Sequence, residues 1–331
     1  MGEVRAPAVT RLLKRHISSA AEVGELRRLS GGANQETWTF DAEISGTSLP
    51  LILRRTPGGA RNPVASASGL TLEMEAKLIG LAGRSGVPVP GIRCVLQPAD
   101  DLGSGFVMDR IPGETIARKI LRDQEFAHVR PRLARECGSI LAAIHRISTG
   151  DLNLAVSPAK AQLDQFRSLY DAYDHPHPVF EIAFRWLADR IPSEVDPALV
   201  HGDFRNGNLI IGADGVRAVL DWELAHIGDP MEDLGWICVN SWRFGEIDSP
   251  VGGFGTREEM FAGYEAAGGE TVDPERVRWW ETFGSLKWGI MCMTMYQIFR
   301  GGTDGSVERA AIGRRASETE IDLLNLIAPE S

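Results

Sequence analysis

The chain has 331 residues, of which 43% are hydrophobic, 24% are charged and 7% are aromatic. A chain of this length and composition can bury one large core or two ordinary ones, which excludes disordered, collagen-like and small disulfide-stabilised proteins. Its 45 acidic and 35 basic residues give a formal net charge of −10. Because long stretches lack clusters of lysine and arginine, we expect neither nucleic acid nor an anionic membrane as a partner.

The four cysteines lie tens of residues apart, without a CxxC pair or a nearby histidine: Cys94, Cys137, Cys238 and Cys292. This spacing argues against a zinc site and against a set of disulfides, so reduced, buried thiols are expected. Residues 1–21 contain no apolar signal segment, and the strongest apolar stretch, residues 288–296, is too short to span a bilayer. We therefore expect a cytoplasmic protein.

The first hundred residues predict a small sheet with one helix. A glycine-containing turn at residues 30–34 leads into an apolar run at 37–40, and further runs with strand character lie at 49–55, 92–96 and 105–109. Between them, Leu72, Ala76 and Ile79 recur at helical spacing within residues 71–82. This part of the chain is expected to be rich in β-structure.

From Pro112 onward the sequence is mainly helical, with long helical periods at residues 134–147, 179–188, 257–267 and 274–299. A predicted β-hairpin interrupts them, with strands at residues 208–211 and 216–222. Its turn contains Asp214-Gly215, and the glycine supplies the positive φ that a tight turn needs.

Polar side chains flank this hairpin. His201 and Asp203 precede it, Asn208 begins it and Asp221 lies at its far end. When the two strands pair, Asn208 and Asp221 become neighbours, with Asp203 on the loop that leads in. Carboxylate and amide oxygens are hard ligands, which suit Mg²⁺ bound together with the phosphates of a substrate better than zinc or copper.

The order and spacing of Asp203, Asn208 and Asp221 resemble the catalytic loop and the metal-binding aspartate of protein kinases. Glycine after His201, and Asp221-Trp222-Glu223 in place of Asp-Phe-Gly, resemble the aminoglycoside phosphotransferase (APH) and choline kinase-like family more closely. Residues 225–235 are also similar to that family, and the resemblance covers nearly the whole chain. It extends in particular to the kinase-like domains associated with acyl-CoA dehydrogenases.

The resemblance implies an α+β, protein-kinase-like fold with two lobes. Residues 1–108 would form a small, β-rich, nucleotide-binding N-lobe with one main helix, and residues 109–113 a connector. Residues 114–331 would form a larger, mainly helical C-lobe that carries catalysis and substrate binding.

The resemblance also assigns roles to the polar side chains. Asp203 would be the catalytic base that accepts the proton of a substrate hydroxyl, while Asn208 and Asp221 would hold Mg²⁺ on the phosphates of ATP. His201 is a second candidate in the catalytic loop, although bracing of the loop by hydrogen bonding is preferred for it. For any one of these residues alone, a solvated loop whose side chains cap turns would be the simpler interpretation.

Three other acidic residues near the hairpin have alternative interpretations. Asp229 and Asp233 could form a second metal pair, but the resemblance favours holding the loop and capping the next helix. Glu223 follows Asp221 by two positions, and on a continued strand it would share the face of Asp221 and could tune the metal site.

In the N-lobe, the resemblance implies nucleotide contacts from the glycine-containing turn, at Ser30, Gly31, Gly32 and Asn34. The turn lacks the GxGxxG form and is equally compatible with an ordinary hairpin turn.

The lysine expected on the following strand is absent, so Arg54 or Arg55 must bind the phosphates. Arg54 shares a strand face with Ile52 and is favoured, while Arg55 should leave the opposite face toward solvent or the edge of the core. Glu75, with Glu73 as the alternative, would be the partner carboxylate.

The segment from Met108 to Ile111 resembles the connector between the lobes. Its backbone, at Asp109 and Ile111, would bond the edge of the adenine. Because the backbone makes these contacts, the identity of the side chains carries little information.

Taken together, the resemblance implies an ATP- and Mg²⁺-dependent phosphotransferase that acts on a hydroxyl of a small molecule. A hydroxyacyl-CoA and an aminoglycoside-like compound are the candidate acceptors. Cations at Arg243, Lys287 and Arg300, and at Arg314 and Arg315, suit an anionic acceptor but equally suit ordinary ion pairs. The alternative is a kinase-like regulatory module that binds nucleotide without transfer. Asp203 favours the enzyme, and the absent lysine favours the module.

Overall fold

A computed structural model of the chain describes residues 4–29, 35–56, 69–150, 152–193, 195–302 and 305–328. The predicted nucleotide contacts at Ser30, Gly31, Gly32 and Asn34 lie outside these residues. The chain folds into two compact units: unit 1 contains residues 1–114, 147–155 and 208–225, and unit 2 contains residues 115–146, 156–207 and 226–331. The division expected from the sequence, with a connector at 109–113, stays a prediction.

The described strands, in chain order, are β1 (Glu22–Val23), β2 (Arg27–Leu29), β3 (Glu36–Ile44), β4 (Thr47–Thr56), β5 (Ile92–Val95), β6 (Ser104–Asp109), β7 (Ala198–Val200), β8 (Leu209–Gly212), β9 (Gly215–Val219) and β10 (His226–Gly228). The described helices are α1 (Ala6–His16), α2 (Leu72–Arg84), α3 (Ala117–Arg122), α4 (Arg130–His145), α5 (Ala159–Ala172), α6 (Pro178–Ala188), α7 (Met231–Trp236), α8 (Arg257–Ala266), α9 (Pro274–Arg300), α10 (Val307–Gly313) and α11 (Ala316–Ile327).

Unit 1 is built on an antiparallel sheet with the strand order β1-β3-β4-β6-β5, in which β2 also pairs with β3. Strands β3 and β4 form a hairpin, and Ser45 and Gly46 in its turn have φ values of 52° and 81°. Positive φ at both central residues matches the right-handed twist of the paired strands. Apolar side chains of β3, β4 and β6 pack with α1 into the core of this unit: Trp38, Phe40, Leu51, Leu53, Val107, Val9, Leu12 and Leu13.

Helix α2 follows at the predicted place. Thr71 caps its N-terminus, because the Thr71 side chain accepts a hydrogen bond from the backbone N–H of Met74 at 3.2 Å. The buried face of the helix includes Glu75, which is a charged residue among apolar neighbours. A buried carboxylate needs a partner, and unit 1 supplies one.

Strands β8 and β9 form the predicted hairpin, and Gly215 has a φ of 120°. The second strand is shorter than expected, because it ends at Val219 rather than at Trp222. Asp221 adopts a left-handed conformation, with φ of 65°, and residues 222–224 form a 3₁₀ turn. The strand thus does not continue to Glu223, so the condition under which Asp221 and Glu223 would share a strand face is not met, since the left-handed residue ends the extended backbone.

Unit 2 is mainly helical. The two short strands β7 and β10 pair antiparallel, with Val200 opposite His226. This pairing places the loop that follows β7 beside the start of α7. Helices α4 and α8 approach closely through two glycines, because a Cβ atom on Gly138 would overlap the carbonyl of Met260 and one on Gly263 would overlap that of Arg135.

Helix α9 has 27 residues and contains the apolar stretch noted in the sequence. Asp273 caps it, and the Asp273 carboxylate accepts hydrogen bonds from the backbone N–H groups of Glu275 and Arg276. Among the described parts of the chain, no helix combines the length and apolar character that a membrane span requires. All four cysteines are free thiols, of which three are buried and Cys94 is partly exposed.

Candidate active site

Arg54 lies at the centre of a polar cluster in unit 1. Its Nη1 is 3.2 Å from Oε1 of Glu75, and its Nη2 is 2.8 Å from Oδ1 of Asp221 and 3.2 Å from Oε2 of Glu223. Its Nε donates to the side-chain carbonyl of Gln35, whose amide nitrogen donates to Glu223 at 3.2 Å. Strand β4, helix α2 and the segment after β9 thus meet at one guanidinium.

The charges in this cluster do not balance, because three carboxylates share one guanidinium. Burial, and then the nearby carboxylates of Asp221 and Glu223, raise the pKa of Glu75 to about 7 despite the opposing influence of Arg54. Burial lowers the pKa of the Arg54 guanidinium, but the charges of Glu75, Asp221 and Glu223 outweigh burial and raise it. The cluster therefore has an excess of negative charge and favours an added cation.

Arg55 leaves the opposite face of β4, as the alternation along a strand requires. It is only 5% exposed, and its guanidinium donates to Glu36 at 2.8 Å and to the carbonyl of Leu102 at 3.1 Å. Of the two expected environments for this side chain, solvent and the edge of the core, the structure therefore shows the second. Glu73 is exposed and pairs with Lys77 at 2.8 Å, so Glu75 is the carboxylate that contacts Arg54.

Asn208 and Asp221 stand at the same end of the hairpin. Leu220, which precedes Asp221, donates its backbone N–H to the carbonyl of Asn208 at 2.8 Å. One amide oxygen and one carboxylate are a donor set that fits Mg²⁺ shared with phosphate oxygens, since Mg²⁺ commonly takes one or two protein ligands. Within the described residues there is no group of three or more His, Cys, Asp or Glu side chains arranged to hold a metal.

The predicted connector residues lie at the end of β6. The backbone N–H of Asp109 donates to Gly91 at 2.9 Å, and that of Arg110 donates to Pro50 at 3.0 Å. The Asp109 carboxylate is held by Arg93, with Nη2 at 3.0 Å from Oδ2. No described residue accepts a hydrogen bond from the N–H of Ile111, so this N–H is available to a ligand.

In unit 2, helix α7 holds the loop that contains His201 and Asp203. The Asp233 carboxylate accepts hydrogen bonds from the backbone N–H groups of His201 at 2.8 Å and Gly202 at 2.9 Å. Although burial opposes its charge, the hydrogen bond from His145 lowers the pKa of Asp233. The loop-holding role that the resemblance implied for Asp233 is confirmed.

His201 is fully buried, and its Nδ1 accepts the backbone N–H of Asp203 at 3.2 Å. This contact is of the bracing kind expected for His201. Asp229 accepts the backbone N–H of Met231 at 2.9 Å at the start of α7, and the indole N–H of Trp280 at 2.8 Å. Asp229 therefore caps the helix, as the resemblance implied.

The carboxylate of Asp203 accepts two hydrogen bonds at the same oxygen. Oδ1 lies 2.8 Å from Nε1 of Trp236 and 3.0 Å from Nε of Arg205. The guanidinium of Arg205 also lies over the ring of Trp242, 4.6 Å from its centroid. The sequence analysis missed Trp236 and Arg205. For Trp236 the available signal was its position three residues after Asp233, which places both on one helix face.

Three of the cations considered for an anionic acceptor form ion pairs within the chain, and two of these pairs are largely buried. Arg243 lies 2.8 Å from Glu281, and Lys287 lies 3.7 Å from Glu232 with its ammonium over the ring of Trp236. Of the others, Arg315 pairs with Glu318 at 3.0 Å. Arg243 and Lys287 therefore fit the alternative of ordinary ion pairs.

Comparison with known proteins decides the family. The model of the phosphotransferase enzyme family, APH, matches residues 25–280. The chain belongs to this family. Among curated relatives of this APH chain, acyl-CoA dehydrogenase family member 11 of Pongo abelii is 26% identical over 341 residues, which cover 92% of this chain and 41% of the relative.

A second relative is the probable acyl-CoA dehydrogenase IBR3 of Arabidopsis thaliana, which is 28% identical over 261 residues, covering 72% of this APH chain and 30% of the relative. The chain thus spans less than half the length of these curated relatives.

Solved structures share the fold. A Ralstonia eutropha protein considered to be an aminoglycoside phosphotransferase matches with a TM-score of 0.75 at 21% identity, covering 98% of both chains. Macrolide 2'-phosphotransferase MphH of Brachybacterium faecium matches with a TM-score of 0.61 at 20% identity, covering 98% of this chain and 99% of its own. The chain therefore has the α+β, protein-kinase-like fold of APH enzymes.

Proposed function

We propose that this APH-family chain is an ATP- and Mg²⁺-dependent phosphotransferase that transfers the γ-phosphate to a hydroxyl of a small molecule. The observation that carries the proposal is the meeting of Arg54, Glu75 and Asp221 in unit 1. A phosphotransferase needs a cation for the nucleotide phosphates and a carboxylate for the metal, and these residues supply both. Family membership supports the same chemistry.

Within this proposal, Arg54 binds phosphate oxygens and Glu75 holds the guanidinium in place. A guanidinium can make two parallel hydrogen bonds to a phosphate, so it can replace the lysine that protein kinases use. The N–H of Ile111, together with the backbone of Asp109, would contact the adenine edge. Asn208 and Asp221 would hold Mg²⁺, which neutralises charge on the phosphates.

Asp203 acts as the base in this proposal. Its carboxylate orients the acceptor hydroxyl and accepts its proton as the oxygen bonds to phosphorus and the bond to ADP breaks. His201 braces this loop through the N–H of Asp203 rather than contacting the acceptor.

The acceptor class is the finer part of the proposal. A hydroxyacyl-CoA is favoured by the curated relatives, whose names are those of acyl-CoA dehydrogenase family members. Those names describe longer proteins, and the part proposed for this chain is the phosphorylation of the hydroxyl. An aminoglycoside-like acceptor is the second candidate, because the structural neighbours include spectinomycin phosphotransferase.

A panel of hydroxylated compounds tests the proposal through ADP release, with hydroxyacyl-CoAs, aminoglycosides and a blank without acceptor. We expect ADP release that depends on a hydroxyacyl-CoA, stops when Mg²⁺ is chelated, and yields a product heavier by one phosphoryl group. Release only with aminoglycosides would move the acceptor class to the second candidate. Tight ATP binding without any acceptor-dependent release across the panel would favour a regulatory nucleotide-binding module instead.

A further inference from the structure

We propose that Trp236 is a positioning residue for phosphoryl transfer, because its indole N–H fixes the orientation of the Asp203 carboxylate. This inference rests on the proposed function, in which Asp203 accepts the acceptor proton. Trp236 itself neither gains nor loses a proton in the reaction. Its contribution is to hold Oδ1 of Asp203 through the 2.8 Å hydrogen bond.

Trp236 belongs to the same helix that holds the rest of the loop. Asp233 and Trp236 are three residues apart in α7 and therefore lie on one face. The first binds the backbone of His201 and Gly202, and the second binds the side chain of Asp203. One helix thus fixes both the path of the loop and the direction of the carboxylate.

The indole ring is itself held in place. Trp236 is 3% exposed, and its ring packs against Trp242 with the centroids 5.3 Å apart. The ammonium of Lys287 lies 4.9 Å from the ring centroid, which is the geometry of a cation–π contact. A buried ring with contacts to both an aromatic and a cationic neighbour has little freedom to turn, so its N–H is a directed donor.

The second donor to Asp203 is less constrained. Arg205 follows Asp203 by two residues and its side chain is 25% exposed, whereas that of Asp203 is 14% exposed. A partly exposed guanidinium can neutralise the carboxylate but fixes its direction less well than a buried indole. Correct orientation of a base contributes to rate because a proton transfer needs aligned donor and acceptor.

The test compares two tryptophans of the same cluster. Trp236→Phe removes the donor to Asp203 and keeps an aromatic ring. Trp288 packs against the same cluster, and Trp288→Phe removes an indole N–H that has no hydrogen-bond partner among the described residues. We expect Trp236→Phe to lower kcat about 10- to 150-fold, the range for a hydrogen bond to a charged group, with KM for ATP changed less than about twofold. Trp288→Phe should leave kcat within about twofold.

The Asp203→Ala variant serves as a second background, which distinguishes positioning of the Asp203 carboxylate from a general structural effect of the Trp236 substitution. In Asp203→Ala, the residual single-turnover rate should change less than about twofold on adding Trp236→Phe, because the group through which Trp236 acts is gone. Equal losses of kcat in Trp236→Phe and Trp288→Phe would overturn the inference, and so would an unchanged kcat in Trp236→Phe. A loss from Trp236→Phe that is equally large in the Asp203→Ala background would overturn it as well.

Two controls keep the result interpretable. If Trp236→Phe does not fold, benzothienylalanine at position 236 keeps the bicyclic ring and replaces the N–H with sulfur, and the same loss of kcat is expected. If Asp203→Ala alone leaves turnover unchanged, the assignment of Asp203 as base fails, and with it the proposed function. If Asp203→Ala abolishes turnover while Trp236→Phe does not lower it, the inference alone fails.

Discussion

Arg54 is the residue at which this chain differs most from a protein kinase, and its environment explains how an arginine can serve there. A guanidinium has several N–H donors in a fixed plane, so it can contact Glu75 with one nitrogen and Asp221 with another. A lysine ammonium is a single point charge. Arg54 can therefore keep its ion pair with Glu75 on α2 while another of its nitrogens donates to a phosphate oxygen.

Substitution of Arg54 should impair catalysis more than folding. Arg54→Ala is expected to cost about 2 to 3 kcal/mol of transition-state stabilisation, the scale of a charge-assisted contact in a sheltered site. Arg54→Lys should recover only part of this, because lysine retains the charge without the two-pronged geometry. Single-turnover rates, with folding checked by thermal melts, measure the effect.

Arg55→Ala is the neighbouring control with the opposite expectation. Arg55 is buried against Glu36 and the carbonyl of Leu102, so its loss should lower the unfolding free energy by about 1 to 3 kcal/mol and leave the rate per folded molecule nearly unchanged. A larger catalytic loss in Arg55→Ala than in Arg54→Ala would contradict the assignment of the phosphate-binding residue.

Glu75 should make stability depend on pH. Its folded pKa of about 7 lies above the ordinary value of 4.5, so the folded state holds a proton that the unfolded state releases between these two values. This contribution is fully present below about pH 4.5 and is lost as the pH rises through about 7. Glu75→Gln mimics the neutral form and removes the dependence, so the variant should gain stability relative to the wild type as the pH rises.

Urea denaturation of both proteins at about pH 5 and about pH 8 measures this difference. The comparison cancels the other titrating groups, which both proteins share. A stability difference that is the same at both pH values would contradict this, because it would show that Glu75 is charged throughout, with Arg54 outweighing its burial.

Among the secondary-structure elements, those with strong local signals were predictable. The helical period that ends near Phe299 predicted α9. Asp214-Gly215 predicted the hairpin of β8 and β9, because the positive φ that a tight turn needs is a property of the turn residues themselves. Alternation along β4 was enough to place Arg54 and Arg55 on opposite faces. In each case the information lies within a few residues of the sequence.

Elements that depend on distant partners were not predicted. Helix α1 was missed although Val9, Leu12 and Leu13 recur at helical spacing, because three apolar residues give a short period and the last turn is basic. Strands β1, β2, β7 and β10 have two or three residues, too few to show a period of two, and exist because a partner strand is present. Side-chain contacts such as Trp236 with Asp203 likewise require the tertiary fold.

The crossing of α4 and α8 predicts which glycines are essential to the helical unit. A methyl group on Gly138 or on Gly263 would overlap a backbone carbonyl of the other helix. Gly138→Ala and Gly263→Ala should each lower the unfolding free energy by about 1 to 3 kcal/mol, the usual range for overpacking. Chemical denaturation measures both.

Gly80→Ala is the matched control, because Gly80 lies in the interior of α2 and an added Cβ would meet only ordinary contacts. It should leave stability unchanged or raise it by up to about 1 kcal/mol, since alanine has the higher helix propensity. A loss in Gly80→Ala as large as in the two crossing variants would mean that helical glycines matter here for reasons other than close approach.

At the scale of the whole molecule, the motif that runs from His201 to Asp221 is divided between the two units. His201 and Asp203 belong to unit 2, whereas Asn208 and Asp221 belong to unit 1. The sequence indicated the four residues as one set by their spacing, whereas membership of a unit depends on packing.

Turnover and nucleotide affinity of Asp203→Asn test the central claim most directly, with the acceptor that gives the greatest ADP release. The account predicts that turnover falls about 10²- to 10⁴-fold, the contribution of a positioned base, while the Kd for Mg²⁺-ATP stays within about twofold. Unchanged turnover would contradict it, because the chain would then transfer phosphate without the carboxylate on which the account depends.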